Sequence, residues 1–288
     1  EHYPDAVLEK QWIPAGLRRV FSGLFDRLER ALSRGFDGVI AADHTIRERF
    51  QPTRRQLITL FNFPRRDFFE GTGSVEVEPP FRRPQQLIYV GAISGARGLW
   101  VMLEMLEILL QEEELDIGLW LIGKFGYPAE EKRFWERLMH SRQLAERIFS
   151  PGIIPYQQVP AYLFQADIGL APLQPIPKYQ KNIPTKLFEY MAAGLPIVGS
   201  DLKPIQRYLE ASGAGLVAEA AQPRAHAEQV LQLLQSPELQ RTLSEKGKQA
   251  FRQQYNWDRE EKKLLDFYRQ LTAEKSRAEQ PGEDGQKR

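Results

Sequence analysis

The sequence predicts an α/β protein: one complete domain on a doubly wound parallel sheet, preceded by the closing part of a second α/β domain. Three observations carry that expectation. Between Pro84 and Tyr255 short apolar runs alternate with amphipathic stretches, the pattern of strands joined by crossover helices. The runs QLIYV at 86–90, DIGLWLI at 116–122 and DIGLA at 167–171 are nearly continuous in apolar residues, as strands covered on both faces require. Glycines follow two of them directly, at Gly91 and Gly123, where a chain leaving a strand must turn.

Taken in order, the chain first shows a helical stripe. Apolar residues fall at 17, 20, 21, 24, 25, 28, 31 and 32, with Arg18, Arg19, Asp26, Arg27, Glu29 and Arg30 off the stripe. The expectation is a surface helix with its stripe packed on a core, and the surplus of Arg leaves an anionic lipid surface as the alternative. Residues 36–42 read as a strand, 45–50 as a short helix and 56–61 as a second strand. Asn62 to Pro84 then carries four prolines and two Arg pairs without a sustained period, and reads as a connection between domains, with Arg65-Arg66 and Arg82-Arg83 as solvated charge.

The main series follows. A strand at 86–90 enters the loop Gly91-Ala-Ile-Ser-Gly95-Ala-Arg97-Gly98, and a helix runs from Leu99 to Gln111. A strand, a glycine loop and a helix in succession can cradle a phosphate, because glycine allows close backbone approach and the helix N-terminus lies behind it. The spacing GxxxGxxG fits neither the dinucleotide fingerprint GxGxxG nor the pattern GxxxxGK[ST], which disfavours an NAD site and a P-loop. Further strands are expected at 116–122, 148–154, 167–171, 196–200 and 215–218. Helices are expected at 129–144, 159–165, 205–210, 224–235, 237–255 and 258–271, and a polar tail closes the chain.

Composition narrows the classes. A net charge of +1 gives no global field for nucleic acid, so no nucleic-acid partner is expected. With no Cys and four widely spaced His, disulfides and Cys nucleophiles are excluded and a metal site is not expected. No apolar run reaches the ~20 residues of a membrane helix, and a reducing cytoplasm is compatible. The chain opens at Glu1-His2-Tyr3-Pro4 rather than at Met, and a processed or truncated N-terminus is the expectation.

The stretch Asn182–Asp201, NIPTKLFEYMAAGLPIVGSD, is the densest in signals. Pro184 fits a first helical turn and Gly194 the position just past the helix end, with Pro196 beyond it. Leu187, Tyr190 and Met191 share an apolar face. Lys186 and Glu189 sit one turn apart near the N-terminus, where a cation favours phosphate and a carboxylate can accept from a sugar diol. A surface ion pair worth a few tenths of a kcal/mol accounts for the same two residues equally well.

YVGAISGARG, ADIGLAPL, PTKLFEYMAAGLPIVGSD, ASGAGLVAE and YNWDREEKKLLDFY together resemble the donor-binding domain of group 1 glycosyltransferases, the GT-B type related to glycogen synthase and phosphatidylinositol mannosyltransferase. EHYPD, FDGVIAADHTIRERF and LFNFP resemble the end of that family's N-terminal domain. The resemblance implies a partial acceptor-side Rossmann-like domain at 1–61, a nucleotide-sugar domain at 84–256 and a crossover helix at 257–272; composition adds a linker at 62–83 and a disordered tail at 273–288.

It also implies transfer of a sugar from a nucleotide-diphosphate sugar of UDP or GDP type to a carbohydrate or lipid-linked acceptor. No metal or other cofactor is implied, retention at the sugar carbon is, and contact with the inner face of the cell membrane is allowed. Arg97 and Lys186 would serve as the catalytic cations. Gly91 would lie against the diphosphate, Glu189 on the ribose and Ile154 near the base, with Gly123 and Leu187 within the same donor-binding set. Two positions depart from the family pattern: Lys181 stands where a second Glu is common, and Ala92 where many members have Arg. The family's acceptor-side His would fall just before Glu1, so donor binding without turnover is one expectation for this chain. A non-catalytic nucleotide-sugar-binding or scaffold protein is the alternative.

Overall fold

Six parallel strands dominate the fold, in a computed structural model that describes residues 3–8, 12–51, 56–70, 83–112 and 115–279. The chain divides into two compact units, residues 1–62 with 257–288, and residues 63–256.

In the first unit, helices α1 (Tyr3–Leu8) and α2 (Ala15–Ser33) precede strand β1 (Gly38–Ala41), helix α3 (His44–Phe50) and strand β2 (Gln56–Thr59). β1 and β2 pair in parallel, Gly38 opposite Gln56 through Ala41 opposite Thr59. Asp43 starts α3 by accepting from the Ile46 N–H at 2.8 Å, and Arg47 Nη1 donates to the Leu57 carbonyl at 3.0 Å. The C-terminal helix Trp257–Glu279 belongs to this unit. A side chain at Gly38 would come within 2.6 Å of the Phe267 ring, so the helix approaches β1 only because residue 38 has none. Its Glu260, 1% exposed, accepts from the Phe61 N–H at 2.9 Å.

The expected packing of α2 is reversed. Its polar side carries the contacts: Ser22 Oγ donates to the Pro4 carbonyl at 2.8 Å, and Arg49 pairs with Asp26 at 2.5 Å and with Glu29. Leu17, Val20, Phe21, Leu24, Phe25, Leu28 and Leu32 face outward, from 43% exposed at Phe25 to 64% at Val20. The physical reason is an ionic contact between two helices. Arg49 is a cation on the facing helix α3, and it draws the two carboxylates of α2 toward the unit.

In the second unit the strands are β3 (Gln85–Val90), β4 (Ile117–Ile122), β5 (Ile148–Gly152), β6 (Ile168–Ala171), β7 (Ile197–Ser200) and β8 (Gly215–Ala218). They lie in the order β5-β4-β3-β6-β7-β8, all parallel, with register running from Gln85 opposite Ile117 to Val90 opposite Ile122 and from Leu87 opposite Ile168. The helices are α4 (Arg66–Glu70), α5 (Leu99–Glu112), α6 (Pro128–His140), α7 (Arg142–Ala145), α8 (Val159–Leu163), α9 (Lys186–Ala193), α10 (Lys203–Ser212), α11 (Pro223–Leu234) and α12 (Pro237–Gln253), before α13 (Trp257–Glu279).

One core cluster joins Leu87 and Tyr89 of β3 with Met102, Leu106 and Leu109 of α5, Leu119 and Leu121 of β4, and Val230 and Leu233 of α11. The four central strands, β4, β3, β6 and β7, are buried on both faces, which accounts for their unbroken apolar runs. Strand order reverses between β3 and β6, and a sheet of this kind binds ligands outside the carboxyl ends of its strands at that point.

Three expectations need correction. Residues 62–83, read as a linker, contain α4, and Phe69 there is buried against Phe164 and Phe251; residues 71–82 lie outside the described set. The helix expected at 129–144 breaks at Ser141, whose hydroxyl accepts from the Leu144 N–H and starts a new turn. The last helix runs on to Glu279, past the expected end at 272, and 280–288 lie outside the described residues.

Candidate functional site

The carboxyl ends of β3 and β4 are braced together before any ligand is considered. Gly91, at φ +131°, donates its N–H to Ile122 O at 2.9 Å; Gly123, at φ +148°, donates to Gly152 O at 2.8 Å. A Cβ on Gly123 would stand 1.9 Å from Gly91 O, so position 123 requires glycine on both counts. The loop from Gly91 then pairs with the loop from Gly123. Ile93 donates to Lys124 O and Gly126 to Ile93 O, both at 2.8 Å, with the Ile93 and Phe125 side chains buried beneath.

This bracing changes what the glycine loop can offer. The Gly95 N–H goes to Glu130 Oε1 at 3.0 Å, Arg97 N–H to Ser94 O at 3.0 Å and Gly98 N–H to Gly95 O at 2.9 Å. With Gly91 and Ile93 also engaged, the loop has five of its N–H groups already bonded within the protein. Its role is to fix Arg97 in a single helical turn at 95–97 and to hold the backbone of Gly91 close to α9.

Across the strand-order reversal, Tyr190 of α9 ties the two sides together. Its hydroxyl accepts from the Val90 N–H at 3.1 Å and donates to Leu170 O at 3.2 Å. Its ring occupies the space left by Gly169, where a Cβ would meet it at 2.6 Å. The carboxyl ends of β3 and β6 are therefore joined through a side chain of α9, the helix that carries Lys186 and Glu189. Gly194 ends that helix at φ +74°, as the sequence indicated.

Lys186 is 5% exposed. Its ammonium lies 3.2 Å from the centre of the Tyr89 ring, and a Cβ on Gly91 would be 3.5 Å from it. Nζ has no hydrogen-bond partner among the described residues. Burial holds its pKa well below the usual lysine range, Arg97 pushes it further down, and Glu189 pulls back only in part. Arg97 is half-buried, with its guanidinium 5.6 Å from the centre of the Tyr179 ring. Two cations therefore share one end of the crevice, and one of them is buried without an acceptor. Such an arrangement is costly unless an anion enters.

Glu189, half-buried, lies one turn along α9. Burial raises its carboxyl pKa; a bond from Tyr156 and the charge of Lys186 oppose the rise. Tyr156 Oη donates to Glu189 Oε1 at 3.2 Å. Ile154, half-buried, and Ile153, 73% exposed, lie on the loop that links β5 to Tyr156.

Leu187 does not belong with these residues. Its side chain is fully buried and its N–H is bonded to Pro184 O at 3.2 Å, so neither faces the crevice. Apolar spacing already placed it on the core face of the helix. Sequence reasoning missed Tyr89, Glu130 and Tyr156, each a polar tip reached only through the fold. No cluster of His, Cys, Asp or Glu suited to a metal ion occurs among the described residues.

The sequence pattern of the family Glycosyl transferases group 1 matches residues 74–250. The chain is similar to the amylovoran biosynthesis glycosyltransferase AmsK of Erwinia amylovora, 27% identical over 56% of this chain and 39% of that protein. It is also similar to the spore coat protein SA of Bacillus subtilis, 23% identical over 63% of this chain and 48% of that one. The chain thus spans less than half the length of these two relatives. Among solved structures, sucrose-phosphate synthase of Thermosynechococcus elongatus superposes with a TM-score of 0.65 at 20% identity, covering 87% of this chain and 62% of that one. HepE of Anabaena in complex with UDP gives 0.66 at 13% identity, over 85% and 67%. HepE has also been solved with UDP-glucose.

Proposed function

The chain belongs to the group 1 glycosyltransferases, and from that premise we propose that residues 63–256 bind a nucleotide-diphosphate sugar of UDP or GDP type for transfer of its hexosyl group. The observation that carries the reading is Lys186, a buried cation without a partner beside a second cation, Arg97. A diphosphate supplies the missing acceptor. Glu189 takes the ribose hydroxyls, backbone at Ile154 borders the base, and the Gly91 and Gly123 turns let the diphosphate approach the strand ends.

Catalysis is electrostatic in this reading. As the bond from the sugar carbon to the diphosphate breaks, charge grows on the leaving oxygen, and Lys186 and Arg97 stabilise it without a metal ion. Retention at the sugar carbon and a polysaccharide or glycolipid acceptor belong to the same proposal, as does the assignment of residues 1–61 to an acceptor-side domain and of 257–272 to a crossover helix. Contact with the inner face of a membrane is supported by the outward apolar side of α2; no described helix is long and apolar enough to cross a membrane.

Titration calorimetry with UDP and GDP tests the donor site. One of the two is expected to bind, and Glu189→Ala to weaken it by about tenfold, the worth of hydrogen bonds to a charged acceptor. Failure of both nucleotides to bind sinks the proposal. Transfer is tested separately: consumption of donor that depends on added acceptor supports the enzyme, whereas binding without acceptor-dependent consumption supports a nucleotide-sugar-binding scaffold.

A further inference from the structure

Tyr156 is half-exposed, at 50%, yet it is held on two sides. Its hydroxyl donates to Glu189 Oε1 at 3.2 Å, and its ring stacks on Phe68 at 4.4 Å between centres with 6° between planes. Phe68 comes from α4, which is anchored by the buried Phe69 against Phe164 and Phe251. A tyrosine serving the core would bury its ring. This one spends its contacts on orienting a carboxylate.

We infer that Tyr156 is a positioning residue for the donor ribose: its hydroxyl fixes the Glu189 carboxylate in the orientation that accepts from the sugar diol, and Phe68 holds the tyrosine ring in place. The inference rests on the reading of Glu189 as the diol acceptor. A glutamate has three rotatable side-chain bonds, and a free rotor loses entropy when a ligand freezes it. A carboxylate offers about four acceptor sites. With one occupied on Oε1 by Tyr156, enough remain for two sugar hydroxyls. Burial and the neighbouring carboxylate push the Tyr156 phenol above its ordinary range, which keeps it the donor in the bond. Lys186, on the same face of α9, is the other charged group acting on Glu189.

The test compares UDP, or GDP where that is the nucleotide bound, with its 2′,3′-dideoxy analogue, which has the base and diphosphate but no diol, by titration calorimetry on the whole chain. Wild-type protein is expected to prefer the parent nucleotide. Tyr156→Phe, which keeps the stacking ring, is expected to weaken that nucleotide by about 3- to 10-fold and to leave the dideoxy analogue within about twofold, so that the preference shrinks. Equal weakening of both probes would mean a structural role and overturns the inference, as does an unchanged preference in Tyr156→Phe while Glu189→Ala abolishes it. If Glu189→Ala itself leaves the preference intact, the diol reading falls and takes this inference with it.

Discussion

Lys186 is where stability and the proposed binding of a diphosphate conflict most directly. A buried cation without an acceptor is held at an energetic cost, and a side chain of similar length without the charge would pack on Tyr89 at no such cost. Lys186→Met is therefore expected to stabilise the ligand-free protein by about 1–3 kcal/mol, measured by denaturant unfolding, while abolishing nucleotide binding. The sign of the pH dependence follows from the depressed pKa. Below the ligand-free pKa of Lys186 the cation is present before binding, and this residue adds no pH dependence to the affinity. Above it, binding a diphosphate must draw a proton onto the amine, so affinity falls as the pH rises, by up to tenfold per unit. Calorimetry of UDP in buffers of different ionisation heat should show proton uptake by this site at a pH above its ligand-free pKa and none from it below.

At the scale of elements, α2 separates two readings that sequence periodicity cannot. Its apolar stripe and polar side are both plain in the sequence; which of them faces inward depends on Arg49, twenty or more residues away in the chain. Leu24→Gln or Leu28→Gln is expected to change unfolding free energy by less than about 0.5 kcal/mol, as for exposed positions. Arg49→Met leaves Asp26 and Glu29 without their shared cation and is expected to cost about 1–2 kcal/mol, a charged hydrogen-bond network at a partly exposed site. The opposite ranking would mean that α2 docks through its stripe. The Asp26 carboxyl feels burial, which raises its pKa, but Arg49 and Arg30 outweigh it and the net shift is downward. Its contribution to stability is thus present at neutral pH and is lost as the pH drops through the folded pKa, below about 3.9. A short helix such as α9 was easier to place, because Gly194 and the spacing of Leu187, Tyr190 and Met191 are local signals.

For the whole molecule, the two units differ greatly in how much apolar side chain they bury. Among the described residues, the first has Ile13, Ala41, Leu60 and Phe267 as its buried apolar side chains, whereas the second holds the long cluster on one face of its sheet and Ile88, Trp120 and Ile197 buried on the other. Unfolding is expected in two steps, with the first unit opening at lower temperature. UDP at a hundredfold excess over its dissociation constant should stabilise the second unit by about 2.7 kcal/mol, which for a unit of this size raises its transition by roughly 5–10 °C. The first unit's transition should not move. Hydrogen exchange followed separately in α5 and α2 would check both statements, and an equal shift in the two would contradict the placement of the site.

The strand pattern, the glycine turns and the end of α9 were decided by the sequence, because each depends on residues within one turn or one strand of each other. Lys186 and Glu189 also stood out as a candidate phosphate and diol pair, which the sequence left level with a surface ion pair. Tertiary structure settled the rest. Burial of Lys186 is a property of the sheet around it, and Tyr190 reaches Val90 and Leu170 only because β3 and β6 are neighbours. Glu130 and Tyr156 meet Gly95 and Glu189 across more than thirty residues of chain. Long-range contacts of polar side chains leave no periodic trace in a sequence, whereas buried apolar faces and backbone turns do.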